Sequence, residues 1–265
     1  MDSMTPLLEA RALGLVLGGA RILHGISFSV RRGGFLAIVG PNGAGKTSLL
    51  KCLGGLRRPS SGTVLLEGRP MEGLSRRRIA RRIAWIPQSG TDSLPFTVRE
   101  FLLLSRYPWK SAFSGESVDD REILANAFRL TELEGLQDRP VHLLSGGERQ
   151  KALLAAALVQ TTDMLFLDEP TSFLDYRCQV EMTALVERVN RERGITVLMV
   201  THDINLALRS ADRVLALKGG GVLRDGATDD FLDAGLLREI FDTEFHSFGG
   251  DGVRVPYVAP RGLVL

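Results

Sequence analysis

Phe35-Leu36-Ala37-Ile38-Val39, Gly40-Pro41-Asn42-Gly43-Ala44-Gly45-Lys46-Thr47 and Ser48-Leu49-Leu50-Lys51-Cys52-Leu53 follow one another without a break and decide the fold. The central eight residues have the spacing G-x-x-x-x-G-K-[ST] of a phosphate-binding loop. The flanks supply its confirming context, an apolar β-rich run before it and a helix-forming run after it. Glycines let backbone N–H groups wrap phosphate oxygens, and the following helix N-terminus adds positive potential. Lys46 is therefore expected on the β- and γ-phosphates of a nucleoside triphosphate, with the Thr47 hydroxyl on Mg²⁺.

Two later segments complete this chemistry. Met164-Leu165-Phe166-Leu167-Asp168-Glu169 is an apolar strand ending in two carboxylates. Asp168 is expected to hold Mg²⁺, directly or through water, and Glu169 to polarise the attacking water as a general base. Such a strand end is common by itself; downstream of the loop it reads as the second half of an NTPase site. Leu144-Ser145-Gly146-Gly147-Glu148 precedes a helical run from about Glu148 to Val159. A serine and a glycine pair at a helix N-terminus suit an anion. Taken alone, the same residues read as a helix cap. One chain already has a phosphate loop for its own nucleotide, so this second anion site suits the nucleotide of another copy.

Composition narrows the class. The 265 residues allow one domain or two closely packed ones, and 44% apolar content supports a substantial core. The net charge of +2 gives no overall field that favours nucleic acid or membrane lipid, and no nucleic-acid partner is expected. Cys52 and Cys178 lie far apart, outside metal-like spacing, and read as reduced thiols. Met1 to Arg11 has no long apolar stretch, which argues against a signal peptide. No run approaches the roughly 18 apolar residues of a membrane span. Any work at a membrane then needs another chain to do the crossing.

The rhythm of elements implies an α/β fold. Leu7 to Arg11 and Gly25 to Val30 read as strands separated by glycine-rich turns, followed by Thr63 to Glu67. Ser75 to Arg82 is a basic helical stretch before a short strand, Ile83 to Ile86. Val98 to Gln160 reads as mainly helical, interrupted by a polar loop from Trp109 to Asp119. Met182, Leu185, Val186 and Val189 recur at helical spacing up to Gly194, and Ile195 to Val200 is a second buried strand. Val214–Leu217 and Gly221–Arg224 read as a hairpin. Alternating β and α units imply a largely parallel sheet with helices on its faces. The expected division is an α/β core with an antiparallel β subdomain over 1–88 and 161–230, an inserted helical subdomain over 89–160, and a tail over 231–265. In the tail, Phe241, Phe245 and Phe248 are spaced like a packing stripe.

The order of phosphate loop, Leu144–Glu148 and Leu167-Asp168-Glu169-Pro170 resembles the ATP-binding cassette (ABC) ATPases. Gln88, after Ile86-Pro87, stands where that family has its Q-loop glutamine. Ser172-Phe173-Leu174-Asp175 matches its D-loop, and His202, after Val200-Thr201, its switch histidine. The resemblance runs from about Leu7 to Asp230. It implies a head-to-tail homodimer that sandwiches two ATP molecules, each between one copy's phosphate loop and the other's signature. It places Gly40, Pro41, Asn42, Gly43, Ala44, Gly45, Lys46, Thr47 and Ser48 on the phosphates. Ser145, Gly146, Gly147, Glu148 and Asp175 serve the site across the dimer. Thr47, Gln88 and Asp168 attend Mg²⁺; Glu169, His202, Gln88 and Lys46 serve hydrolysis. Read without the family, Gln88 is a loop residue, and His202 beside Asp203 caps the next helix.

Two positions depart from the pattern. Leu17 stands where the family usually has an aromatic on adenine. It covers the base without π-stacking, which is worth on the order of 1–3 kcal/mol per base in nucleic-acid systems. Adenine discrimination is then weaker and GTP use less firmly excluded. Ala156 replaces a common arginine in the helix after the signature, with no clear catalytic consequence.

Three features look like importers of iron–siderophore complexes, haem and cobalamin. These are Leu104-Ser105-Arg106-Tyr107-Pro108, Leu174 to Gln179, and a single short cassette with basic Ser75 to Arg82 ahead of the Q-loop. The implied assembly is peripheral, on the cytoplasmic face of the inner membrane. It pairs the homodimer with a polytopic permease, itself a dimer, fed by an extracytoplasmic substrate-binding protein. The alternative is the ATPase of a soluble machine such as iron–sulfur cluster assembly. A DNA-repair cassette would carry a long coiled coil, and no heptad run is present. Arg76, Arg77, Arg78, Arg81 and Arg82 read as a solvated helix face, with a nucleic-acid patch as the weaker reading.

Overall fold

The computed structural model describes residues 6–88, 95–110, 115–248 and 257–260. Residues 1–5 of the segment weighed as a leader lie outside these, as do part of the polar loop after Trp109 and residues 249–256 and 261–265 of the tail. The chain divides into two compact units, Met1–Gly73 with Thr196–Leu265, and Leu74–Ile195.

The first unit opens with β1 (Leu8–Leu17), β2 (Ala20–Val30), β3 (Phe35–Val39), α1 (Lys46–Leu53), β4 (Ser61–Leu66) and β5 (Arg69–Pro70). The second contains α2 (Arg76–Ala80), β6 (Ile83–Ile86), α3 (Val98–Leu104), α4 (Val118–Thr131), α5 (Gly146–Val159), β7 (Met164–Asp168) and α6 (Tyr176–Arg193). The chain then returns to the first unit with β8 (Thr196–Val200), α7 (Ile204–Ser210), β9 (Arg213–Lys218), β10 (Gly221–Ala227), α8 (Ala234–Phe241), β11 (Phe245–Phe248) and β12 (Tyr257–Pro260).

In the first unit β2-β1-β4-β5 form an antiparallel sheet. Strands β10-β9-β3-β8 lie side by side in that order. β3 pairs in parallel with both β8 and β9, while β9 and β10 form the antiparallel hairpin. Every residue of β3 and β8 is buried, as expected of parallel strands covered on both faces. Ala37, Val39, Ala207, Leu208, Val214, Phe231, Leu237 and Ile240 share one core cluster with Val258 of β12. That strand is tied down by one side chain. The Asn205 amide of α7 donates to the Val258 carbonyl at 2.9 Å and accepts from the Val258 N–H at 2.9 Å.

In the second unit β6 and β7 pair in parallel, from Ile83 opposite Met164 to Ile86 opposite Leu167. α6 buries Met182, Leu185, Val186 and Val189, each worth roughly 1.5–3 kcal/mol when fully removed from water. It starts where Asp175 accepts from the Cys178 N–H at 2.8 Å and stops at Gly194, in the left-handed region at φ 63°. α4 begins with a capping box in which Ser117 and Asp120 satisfy each other's backbone N–H.

Several expectations need correction. The first two strands run much further than Leu7–Arg11 and Gly25–Val30, because β1 absorbs irregularities that read as turns. Ala12 sits at φ 46° beside register shifts, the mark of a β-bulge. Gly14 lies inside the strand opposite Ser61 of β4, where a Cβ would meet Ser61 Oγ at 2.4 Å. The turn proper is Gly18–Gly19, at φ 54° and 82°. The signature helix starts at Gly146, two residues before Glu148, because Ser145 caps it and the glycines occupy its first turn.

The arginine cluster is not a plain solvated face. Arg77 Nε and Arg81 Nε both donate to the Pro108 carbonyl, at 2.8 and 2.7 Å. Arg77 also donates to the Lys110 carbonyl, and Arg82 pairs with Asp163. Arg81 lies 4.8 Å from the Trp109 ring centroid, a cation–π distance. The Trp109 indole donates to the Gln160 carbonyl at 2.7 Å. The importer-like segment Leu104–Pro108 is thus gripped by the basic helix. The phenylalanine stripe holds only in part. Phe241 and Phe245 rings meet at 5.6 Å, but Phe248 is 56% exposed. Three residues on from Phe245 along a strand, it faces the opposite side.

Candidate functional site

The phosphate loop lies in the first unit between β3 and α1. Its glycines are there for conformation and for close approach. Gly40 has φ 143°, and a Cβ on it would sit 2.1 Å from the Leu217 carbonyl oxygen. Gly45, at φ 96°, is the left-handed residue that starts α1; a Cβ there would meet Leu23 Cδ2 at 2.7 Å. Gly43 has φ 79° and open space around the Cβ position. Lys46 is buried, with Nζ donating to the Gly40 carbonyl at 2.8 Å and the Pro41 carbonyl at 2.9 Å. The ammonium is thereby held against the loop it belongs to. Pro41, Thr47 and Ser48 are half-buried, Asn42 is exposed and Ala44 is buried. Leu17 is half-buried at the β1–β2 turn. His202 is exposed just before α7; Asp203, not His202, caps that helix, accepting from the Asn205 and Leu206 N–H groups.

The second unit gathers the two carboxylates and Gln88. Asp168 is buried as the last residue of β7. Glu169 follows in the left-handed region at φ 51°, a conformation that non-glycine residues adopt sparingly and that concentrates at functional sites. Its Oε2 accepts two hydrogen bonds, from Gln88 Nε2 at 2.8 Å and from Ser172 Oγ at 2.9 Å. Sequence reasoning placed Gln88 and Glu169 in one site. It quoted Ser172 without a role, although Glu169-Pro170-Thr171-Ser172 has the pattern of a tight turn.

The signature and the D-loop aspartate also meet in this unit. Ser145, Gly147, Glu148, Asp175 and Cys178 line a cleft of about 460 Å³, with Lys151 among them. Ser145 and Glu148 form a capping box. The Ser145 N–H donates to Glu148 Oε2 at 2.8 Å, and the Glu148 N–H to Ser145 Oγ at 3.3 Å. The Ser145 amide first, and then the Ser145 hydroxyl, hold the Glu148 carboxyl below its ordinary range against the opposing effect of burial. Asp175 is lowered chiefly by the Cys178 amide and then its thiol; the same contact raises the Cys178 thiol. Burial presses the Lys151 ammonium down, but Glu132 and Glu181, at 3.0 and 3.1 Å, outweigh it and raise it. Gly147 packs so closely on Cys178 that a Cβ would lie 2.6 Å from Sγ.

The oxygen chemistry fits Mg²⁺. That ion takes one or two carboxylates and keeps waters and substrate phosphates for its other positions, without an all-protein cage. Within the first unit Thr47 offers a hydroxyl, and within the second Asp168 offers a carboxylate. Among the described residues no group of three or more His, Cys, Asp or Glu forms a cage.

Comparison with known proteins agrees on one class. The ABC transporter family matches residues 23–172. The petrobactin import ATP-binding protein FpuC of Bacillus anthracis is 37% identical over 241 residues, 91% of this chain and 88% of that protein. The hemin import ATP-binding protein HmuV of Streptomyces coelicolor is 40% identical over 245 residues, 91% and 85% of the two chains. Among solved structures, a metal-chelate type ABC transporter in an inward-facing conformation superposes with a TM-score of 0.84. It is 25% identical, covering 97% of this chain and 98% of that one.

Proposed function

We propose, since this chain belongs to the ABC transporter family, that it is the ATP-hydrolysing subunit of an importer whose cargo is an iron chelate or haem. The similarity to import subunits for a siderophore and for haem, over nearly the full length of each, carries this reading. Cobalamin belongs to the same group of chelate cargoes by the resemblance of Leu104–Pro108. Among the described residues no helix is long and apolar enough to cross a membrane, so a partner permease would supply the path. The chain would lie peripherally on the cytoplasmic face, with an extracytoplasmic binding protein delivering cargo to the permease. The soluble-machine alternative has no comparable support.

Catalysis in this reading is mostly positioning and charge stabilisation. Backbone N–H groups of Gly40 and of Asn42 to Ser48 and the Lys46 ammonium bind the phosphates of ATP, with Pro41 shaping the loop, and Leu17 covers the base. Thr47, Gln88 and Asp168 would hold Mg²⁺, which supplies charge neutralisation at the phosphate oxygens. Glu169 takes the proton of the attacking water, and His202 contacts the γ-phosphate. Ser145, Gly146, Gly147, Glu148 and Asp175 act on the nucleotide of a second copy, which makes the homodimer the active form. Residues 1–88 and 161–230 act as the nucleotide core. Residues 89–160, through Arg106–Trp109, pass its closure to the permease, and 231–265 form a separate tail. Different affinities of ATP and ADP for the closed dimer drive the cycle.

Purification from native membranes in mild detergent tests the assignment. A polytopic permease recovered in equal amount supports it, and a soluble assembly partner without membrane protein refutes it. Glu169→Gln tests the base. Phosphate release should fall by about 10²–10⁴-fold, while ATP binding persists and an ATP-dependent dimer accumulates on a sizing column.

A further inference from the structure

Glu169, Pro170, Thr171 and Ser172 form a turn closed by the Ser172 N–H donating to the Glu169 carbonyl at 3.2 Å. Proline at the second position pre-sets its φ for such a turn. The turn brings the first and fourth side chains together, and Ser172 Oγ reaches Glu169 Oε2 at 2.9 Å. The terminal torsion of a glutamate is broad, so an unrestrained carboxylate swings. A hydroxyl fixed by a turn three residues away removes that freedom and directs the opposite oxygen, Oε1.

The two donors on Oε2 differ in tether. Gln88 is 81 residues away in sequence and exposed. Ser172 is bound to Glu169 through both backbone and side chain.

We propose that Ser172 is a positioning residue for hydrolysis, its hydroxyl holding the Glu169 carboxylate in the orientation that accepts the water's proton. This rests on the reading of Glu169 as the general base. In the step, the water oxygen bonds to the γ-phosphorus and the bond to the β,γ-bridging oxygen breaks. That electron pair leaves on ADP, and the water's proton passes to Glu169. Ser172 keeps its own proton throughout.

The test is steady-state ATPase of the full chain with Ser172→Ala, Ser172→Thr, Glu169→Gln and the Ser172→Ala/Glu169→Gln pair. Binding of a fluorescent ATP analogue verifies that each variant folds. Losing a hydrogen bond to a charged group should lower kcat roughly tenfold with KM for ATP unchanged. Ser172→Thr, which keeps the hydroxyl, should recover most of that loss. In the Glu169→Gln background Ser172→Ala should have no further effect, because no carboxylate base remains to be oriented. Wild-type kcat in Ser172→Ala, or the full loss repeated on top of Glu169→Gln, overturns the proposal. Wild-type turnover in Glu169→Gln alone refutes the base itself, and so separates the two failures.

Discussion

Asp120→Ala should be among the most destabilising single changes in the unit Leu74–Ile195. Asp120 and Arg106 are 4% and 8% exposed, and Arg106 Nε donates to Asp120 Oδ1 at 2.7 Å. The other oxygen accepts the Ser117 N–H at 3.0 Å and faces Lys110 Nζ at 3.4 Å. Alanine removes all of these. The guanidinium stays buried, keeping the Val159 carbonyl and Thr161 hydroxyl on Nη1, both at 3.0 Å, and the Trp109 ring centroid 5.8 Å away. Breaking a buried pair from one side costs about 3–5 kcal/mol, and the weakened cap of α4 falls within that figure. At about 2–4 °C per kcal/mol for a chain of this size, Tm should fall by roughly 10 °C. Trp85 and Trp109 are the only tryptophans and both belong to this unit, so intrinsic fluorescence reports its unfolding selectively. The pH dependence follows from the carboxyl's position. Burial pushes it up, but the Ser117 amide, Arg106, the Ser117 hydroxyl and Lys110 outweigh that and hold it well below the usual carboxylate range. A group depressed in the folded state stabilises fully above its unfolded pKa of about 4 and loses that as pH falls through the folded value. The gap between wild type and Asp120→Asn should therefore stay flat from about pH 8 to 5 and narrow only below about pH 4. A loss under about 1 kcal/mol in Asp120→Ala, no larger than a typical surface change, would refute the reasoning. So would a gap that closes between pH 7 and 5.

Three further outcomes are expected. Gly40→Ala should abolish ATP binding in a fluorescent-nucleotide titration, because its Cβ would meet the backbone of Leu217 at 2.1 Å and the backbone cannot swing aside. Gly147→Ala should lower ATPase activity by displacing Cys178, whose Sγ lies 2.6 Å from the new Cβ; adding Cys178→Ala should restore part of it, leaving only a 3.3 Å contact with the residue 178 Cβ. The Cys52 thiol is buried and pushed up to about 11 by that burial, with Arg57 pulling slightly the other way. It should resist alkylation at neutral pH until the protein unfolds, as peptide mapping of the alkylated chain would show.

The elements legible in the sequence are those whose causes are local. The loop before α1 requires Gly45 at a left-handed position, and α6 carries its own period, its aspartate start and its Gly194 stop. The extent of β1 was not legible, since a bulge at Ala12 and a glycine packed on Ser61 look like turn residues until the partner strand is present. The grip of Arg77 and Arg81 on Pro108 was hidden for a different reason. Their acceptor is a backbone carbonyl 31 and 27 residues away, and a carbonyl leaves no mark in composition. Gln88 was placed beside Glu169 by family pattern alone; the contact of Ser172 with the same oxygen was written in a four-residue turn and needed only the geometry to be noticed.

Asn205 grips the Val258 peptide with both its amide groups, as a neighbouring strand would. Val258 shares a core cluster with Ile204 and Leu208 of α7, so β12 cannot leave without unpairing Asn205 and uncovering that helix. Local openings of the two should then be one event. On an amide-exchange clock, the Val258 N–H and the protected N–H groups of α7 should run at a common rate. Asn205→Ala should set the strand's clock running ahead while the helix keeps its own time.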